Sequence, residues 1–305
     1  MNGATRETRR TRAAREQSAA LKILQRVVSR LPRGRGRIAR LIAGKLRRSF
    51  VAEVPPFDLG LRLAVDPTDV FQLEIWLGTY QPNVVSFLMQ NVRPGHTVLC
   101  AGLHVGYVAA IARRLTGPTG LVLSAEPDPV ALERAGYNLE LADPALDGRI
   151  EVLTGGLSDV DECLPLHQSS VLGHSSFASS HHEMGVTHAT LRRGDSWLRE
   201  RGVTKIDVMV LDVEGWELRV LRGLEHTLGR SPALVALIEL SRWALEDAST
   251  SPAEVVSLLR DRGFDVRWAT EHGRALVHGV WGSDVGTGNE GIANDILCLG
   301  PSARQ

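Results

Sequence analysis

From Thr97 onward, short apolar runs alternate with stretches whose apolar residues recur at helical spacing. The runs near 97–101, 120–125, 150–154, 206–211 and 233–239 predict strands, and the segments near 106–115, 129–141, 216–228 and 252–262 predict helices. Strand then helix, repeated, is the pattern of a parallel sheet covered on both faces. Segments 264–270 and 295–299, separated by a Gly-rich stretch, predict an antiparallel pair at the sheet edge. Ahead of the sheet, apolar runs around Pro55, Pro56 and Gly60 predict a hairpin over 50–65. Asp69 can cap a short helix through Trp76 that Gly78 ends, and 81–92 predicts a second helix with Val84, Val85, Leu88 and Met89 on one face. Residues 167–188 hold five of the ten histidines and six serines without clear periodicity, so they predict a polar loop lying over another part of the molecule.

The chemistry gathers where the predicted strands end. In LDVEGWELRVLRG the apolar run 206–211 stops at Asp212 and Glu214, and helical spacing resumes at Leu218, Val220, Leu221 and Leu224. In an open α/β sheet ligands bind at that carboxyl end. The first strand runs into AGLHVGY, where Gly102 and Gly106 open a helix and let a ligand approach backbone N–H groups. This is not the GxGxxG fingerprint, but the next strand ends in Glu126, followed by Pro127. An acid about 20 residues beyond a glycine turn is suited to hold two ribose hydroxyls. The third strand ends in GGLSD, where Ser158 and Asp159 could border a base, and the fifth ends in Glu239. Plainer roles exist: Asp212 as a helix N-cap, Glu214 and Glu217 offsetting a helix dipole, Glu239 pairing with Arg242.

Charge changes the picture at the N-terminus. The chain has 35 basic and 35 acidic residues, yet residues 1–48 hold 15 Arg or Lys against Glu7 and Glu16. A basic arm over 1–49 therefore precedes an acidic body over 50–301 and a tail over 302–305. Leu21, Leu24, Val27, Val28 and Leu31 fall at helical spacing among the basic residues, as weak membrane-surface contact through 1–48 would require, although no Trp or Phe anchors that face. The plainer expectation is an arm resting on its own acidic domain. Nucleic acid is not expected as a partner, because the first aromatic residue is Phe50. No apolar stretch approaches the roughly 18–20 residues of a membrane span, and the arm is too Arg-rich for a secretory signal, so a cytoplasmic location is expected. Cys100, Cys163 and Cys298 are far apart with no CxxC pair, which argues against a disulfide framework and a zinc site.

Taken in order, WLGTY at 76–80, PGHTVLCAGLHVGY, AEPDP, GLSD, LDVEGWELRVLRG and LIEL resemble the FkbM-type S-adenosylmethionine-dependent methyltransferases. The resemblance implies a Rossmann-like class I α/β fold, with a mostly parallel seven-stranded sheet, helices on both faces and an antiparallel edge. It implies S-adenosylmethionine as cofactor and methylation of a hydroxyl on a sugar, glycoside or polyketide-type small metabolite. Gly102, His104, Gly106 and Glu126 map to the cofactor site, with Cys100, Pro127, Ser158 and Asp159 beside them; Asp212, Glu214 and Glu239 line the catalytic mouth. The family usually has Asp where this chain has Cys100 and Asn where it has His104, so a charge partner for the cofactor is missing. The alternative is accordingly a cofactor-binding protein with weakened catalysis that acts through its basic arm. For proton removal the candidates are Asp212 and Glu239, then His181 or His182 from the polar loop. A divalent cation such as Mg²⁺ held by Asp212, Glu214 and Glu239 is the other route.

Overall fold

The computed structural model describes residues 14–31, 34–43, 45–143, 149–178, 183–268 and 294–303. A two-residue strand β1 (Arg15–Glu16) and helices α1 (Ala19–Ser29) and α2 (Arg35–Ile42) precede the hairpin of β2 (Phe50–Val54) and β3 (Leu61–Val65). β1 pairs in parallel with β2. Helices α3 (Val70–Leu77) and α4 (Pro82–Asn91) follow. The Asp69 side chain accepts the Phe71 and Gln72 amides at the start of α3, and Gly78 closes that helix in left-handed backbone at φ 70°.

The sheet begins with β4 (Thr97–Ala101), α5 (Tyr107–Thr116), β5 (Leu121–Glu126), α6 (Pro129–Ala142) and β6 (Ile150–Thr154). Three strands then leave it: β7 (Gly156–Ser158), β8 (Glu162–Ser169) and β9 (Glu183–Arg193), followed by α7 (Gly194–Glu200). The chain returns through β10 (Val208–Leu211), α8 (Glu217–Gly223), α9 (Glu225–Arg230), β11 (Val235–Leu240), α10 (Arg242–Asp247), α11 (Pro252–Asp261), β12 (Asp265–Trp268) and β13 (Asn294–Leu299). The seven strands lie in the order β12-β13-β11-β10-β4-β5-β6, with β13 antiparallel to both neighbours and every other pair parallel.

Both faces of the sheet are buried at its central strands β4, β5, β10 and β11, which is why those strands read as apolar runs. Alternate residues feed two cores. Leu99, Leu123 and Met209 pack with Leu218, Leu221 and Val255 on one side, while Val98, Val122 and Val210 pack with Phe87, Leu88 and Ile111 on the other.

Four expectations from the sequence change. The helix expected over 216–228 divides at Leu224, where β7 abuts it so closely that a Cβ on Gly223 would lie 1.8 Å from the Ser158 carbonyl oxygen. Both ends of the polar loop expected over 167–188 belong to β8 and β9, which form a small sheet with β7 in the order β7-β9-β8. Few side chains of that pair are buried, so there was no alternation to read. LPRGRGR at 31–37, with Pro and Gly between basic residues, reads as a flexible joint, but α2 begins within it at Arg35. Finally, α7 and α10 had not been anticipated.

In the described part of the arm, α1 meets the body through apolar packing. Val28 is buried with Phe50 and Trp76, Leu21 and Leu24 pack against them, and the Gln25 amide donates to the Glu53 and Trp76 carbonyls, each at 2.8 Å. Among the described residues the arm's ion pair is Glu16 with Arg62 on β3.

Candidate active site

Register alone assembles the centre of the site. Ala101 on β4 pairs with Ala125 on β5 and with Leu211 on β10, Leu211 pairs with Ile238 on β11, and Glu239 pairs with Asp295 on β13. One residue further along, Glu126, Gly102, Asp212, Glu239 and Asp295 therefore form a row across five adjacent strands, at the carboxyl end of the parallel ones. Gly102 sits at φ 92°, and a Cβ on it would lie 1.9 Å from the Asp212 carbonyl oxygen, so only glycine lets β4 turn away this close to β10.

Two adjoining cavities open over the row. The larger, about 500 Å³, is lined by Phe71, Tyr80, Gln81, His104, Asp212, Glu214, Glu239 and Trp243 among others. The smaller is a slot between Ala125, Pro127, Gly156, Leu157, Phe177 and Trp216, and it shares Gly102, Glu126, Gly173, Asp212 and Glu214 with the first. Glu126, at their junction, accepts the His104 amide at 3.0 Å and the Asp128 amide at 2.9 Å. Burial pushes its carboxyl up to about 7, against the pull of those amides.

On the other flank, Asp212 and Glu239 lie together as a buried carboxyl pair. The negative charge of Asp212, and then burial, hold the Glu239 carboxyl well above the usual range, and Glu239 hydrogen-bonds to Asp212. The Gln81 amide donates to Asp212 Oδ2 at 2.9 Å. An amide N–H can only donate, so it favours the ionised form of the oxygen it meets. Asp295 continues the row; it accepts from Asn83 at 3.3 Å and is pushed up to about 6 by burial.

Glu214 projects from a left-handed turn at φ 51°, braced from below by Glu217. Glu217 Oε1 accepts the Val213 and Gly215 amides, each at 3.2 Å, and burial takes this carboxyl to about 7. Burial, followed by the charges of Asp212 and Glu217, also raises Glu214. A strap over 170–178 covers this side: Ser175 donates to Asp128 at 2.5 Å, and Ser176 donates to the Glu214 carbonyl at 3.1 Å. His174 of the strap stacks on Phe71 with centroids 5.6 Å apart, and Gly173 lies against the His104 ring. The Tyr80 hydroxyl lies 3.2 Å from His104 Nδ1.

Of the expected residues, Gly102, His104, Glu126, Asp212, Glu214 and Glu239 line the larger cavity and Pro127 lines the slot. Four expected cofactor residues line neither. Cys100 is buried in the core with its thiol pushed up to about 12. Gly106 packs against Ala135 of α6, Ser158 accepts from the Trp216 indole at 3.3 Å, and Asp159 pairs with Arg219 at 3.2 Å. Gly156 and Leu157, immediately before Ser158, border the slot, and Ser158 and Asp159 do not. His181 and His182 lie outside the described residues. Sequence reasoning missed Phe71, Gln81, His174 and Trp243, which come from α3, α4, the strap and α10 and carry no motif of their own; Glu217 had been read only as a dipole partner.

The row suits a proton better than a cation. Gln81 and Glu239 occupy Asp212, and among the described residues no group of three or more His, Cys, Asp or Glu is arranged to hold a metal ion. The expected Mg²⁺ site on Asp212, Glu214 and Glu239 therefore has no support in the geometry. S-adenosylmethionine fits better. The slot beside Glu126 is walled mainly by Ala125, Pro127, Gly156, Leu157, Phe177 and Trp216, side chains a base can pack against, and the glycine turn admits a ligand to the backbone.

A seven-stranded sheet with one reversed strand, carrying an acid-ended second strand beside a glycine turn, is the architecture of a class I S-adenosylmethionine-dependent methyltransferase. The chain belongs to the FkbM family, the methyltransferase FkbM domain model matching residues 101–266. A curated relative, methyltransferase sdnD of Sordaria araneosa, is 27% identical over 206 residues, covering 58% of this chain and 76% of that protein. Similar solved structures include an SAM-dependent O-methyltransferase of Thermotoga maritima, at 13% identity over 72% of this chain and 65% of that one, with a TM-score of 0.40. The O-methyltransferase TomG of Streptomyces achromogenes, in complex with SAM, is 13% identical over 72% of this chain and 79% of that one, with a TM-score of 0.39. Among the described residues no helix is long and apolar enough to cross a membrane.

Proposed function

We propose that this methyltransferase acts on a hydroxyl oxygen of a sugar, glycoside or polyketide-type small metabolite. The observation that carries the reading is the hydrogen-bonded Asp212–Glu239 pair beside the glycine turn, in which the charge of Asp212 raises the Glu239 carboxyl. A hydroxyl is a weak acid and needs a base as its oxygen forms a new bond. Asp212, whose Oδ2 accepts the Gln81 amide, is the proposed base, and Glu239, whose carboxyl is held well above the usual range, is its proposed hydrogen-bond donor.

The cofactor, when bound, supplies a methyl group on a sulfonium and departs as a neutral thioether. Gly102 and the Glu126 carboxylate hold its nucleoside end, while the slot between Pro127, Gly156 and Phe177 takes the base. Across the larger cavity Asp212 orients the acceptor O–H and takes its proton as the O–C bond forms. Glu239 stabilises the ionised Asp212 through their hydrogen bond until the proton arrives. Phe71, Tyr80 and Trp243 give the acceptor flat apolar walls, and the strap narrows access for water.

Incubation with methyl-labelled S-adenosylmethionine and a panel of glycosides and hydroxylated polyketides, read by mass spectrometry, tests the proposal. Label on an acceptor oxygen, lost in Asp212→Asn with cofactor binding retained, is the expected result. Transfer only to nitrogen or carbon, or full activity of Asp212→Asn, would overturn it. Cofactor binding without transfer to any acceptor would favour the weakened-catalysis alternative.

A further inference from the structure

Away from the active site, the arm and the hairpin enclose a second cavity of about 470 Å³. Its walls are Arg26 and Arg30 of α1, Arg35 of α2, and Pro55, Pro56 and Phe57 of the β2–β3 connection. Among the described residues neither Arg26 nor Arg30 has a carboxylate partner; Arg35 donates to the Ser29 carbonyl at 3.4 Å. From Lys22 to Arg48 the chain has ten Arg or Lys and no Asp or Glu.

The same side of α1 is apolar as well as basic. Its inner face, Leu21, Leu24, Gln25 and Val28, is spent on the body. Ile23, Arg26, Val27 and Arg30 follow the same spacing two residues on, so they form a stripe facing the other way. Ile23 is 63% exposed and Val27 57%, with Leu41 of α2 at 64%. Phe57, 44% exposed at the cleft, supplies the aromatic side chain that the arm's own sequence lacks.

We propose that this face docks on an anionic lipid bilayer, with a lipid phosphate in the Arg26–Arg30–Arg35 cleft and Ile23, Val27 and Phe57 in the interface. Charge complementarity selects an anionic surface, and the aliphatic stripe between the arginines selects lipid over nucleic acid, which offers no apolar phase for Ile23 and Val27. In the described part of the arm the apolar face of α1 makes the contact with the body, and Arg26 and Arg30 are exposed on its other side. α3 separates the two sites: Gly78, which ends it, borders the cleft, while Phe71 and Glu74 on it line the active-site cavity. A docked enzyme therefore holds its mouth at a fixed distance from the bilayer.

The test is co-sedimentation of the full chain with vesicles of mixed phosphatidylcholine and phosphatidylglycerol, against pure phosphatidylcholine, at low and high salt. Partitioning to the anionic vesicles only, weakened by salt, is expected. Arg26→Ala with Arg30→Ala should weaken it about thirtyfold, since each basic side chain contributes about a factor of five near an anionic surface. Ile23→Ser with Val27→Ser should also weaken it at unchanged charge. These side chains are exposed, and circular dichroism and melting curves check that the variants fold. Equal partitioning to neutral vesicles, no partitioning, or insensitivity to the Ile23 and Val27 changes would overturn the proposal. So would inorganic phosphate raising the melting temperature through the arginines without vesicle binding, which marks a free-anion site. Arginine-dependent binding of a short RNA without vesicle binding would assign the face to nucleic acid instead.

Discussion

Replacing Gly102 by alanine strikes the row where it is tightest. The new Cβ would lie 1.9 Å from the Asp212 carbonyl oxygen, whereas contacts under 3.0 Å essentially never occur, so β4 and β10 must part by more than an ångström. The backbone at φ 92° adds about 1–3 kcal/mol for any residue with a side chain. Parting the strands stretches the bond from the Asp212 amide to the Ala101 carbonyl, now 3.0 Å, and losing it costs about 0.5–1.5 kcal/mol. Together these come to roughly 2–4 kcal/mol, or a fall in melting temperature of roughly 5–15 °C for a chain of this size. The same movement displaces the glycine turn and Asp212, so S-adenosylmethionine should bind more than about tenfold more weakly. Scanning calorimetry and titration calorimetry read the two effects separately. An alanine variant with wild-type melting and wild-type affinity would falsify the close approach on which the site is built.

Three other outcomes follow from the same geometry. Asp212→Asn should lower kcat by about 10²–10⁴, while Glu239→Gln, which can still donate a hydrogen bond to Asp212, should cost less than about tenfold; the reverse order in steady-state kinetics would assign the base to Glu239. Glu126 is raised to about 7 from 4.5, so the folded state binds more protons than the unfolded one and the group's contribution is full below pH 4.5 and lost as pH rises through about 7. Glu126→Gln should therefore flatten the fall in melting temperature across that window, and cofactor affinity of the wild type should strengthen as Glu126 ionises; pH-independent affinity would argue against its role. Glu217→Ala leaves the Val213 and Gly215 amides unpaired and should destabilise by about 2–3 kcal/mol, whereas Glu217→Gln keeps an acceptor and should cost under about 1 kcal/mol in chemical denaturation.

The four central parallel strands β4, β5, β10 and β11 were legible because burial on both faces forces apolar runs, and the ends of β5, β10 and β11 were legible because a carboxylate at the end of such a run is conspicuous. Glu126, Asp212 and Glu239 could be found that way. Gln81 could not: its importance comes from a left-handed N-cap position that sends its amide across to Asp212, 131 positions away in the chain. The same holds for His174 on Phe71 and for the strap serines, whose partners are set by tertiary packing. Ser158 and Asp159 read as ligand contacts because a polar pair follows a strand; in the fold the chain turns at Gly155 and Gly156, and these two side chains meet Trp216 and Arg219. β8 and β9 were hidden by their exposure, since a strand with little buried surface has little pattern to display.

The row of strand ends has an evolutionary corollary. Its members are fixed by hydrogen-bonded register, so shifting any one strand by a single residue would exchange a working side chain for one pointing to the opposite face. The strap over 170–178, by contrast, is attached through Ser175, Ser176 and His174 and could be exchanged without disturbing that register. Register and strap are thus held by different bonds, and because Gly173, Ser175 and Phe177 of the strap also wall the slot, rewriting that nine-residue segment would reshape the slot while the row of strand ends keeps its order.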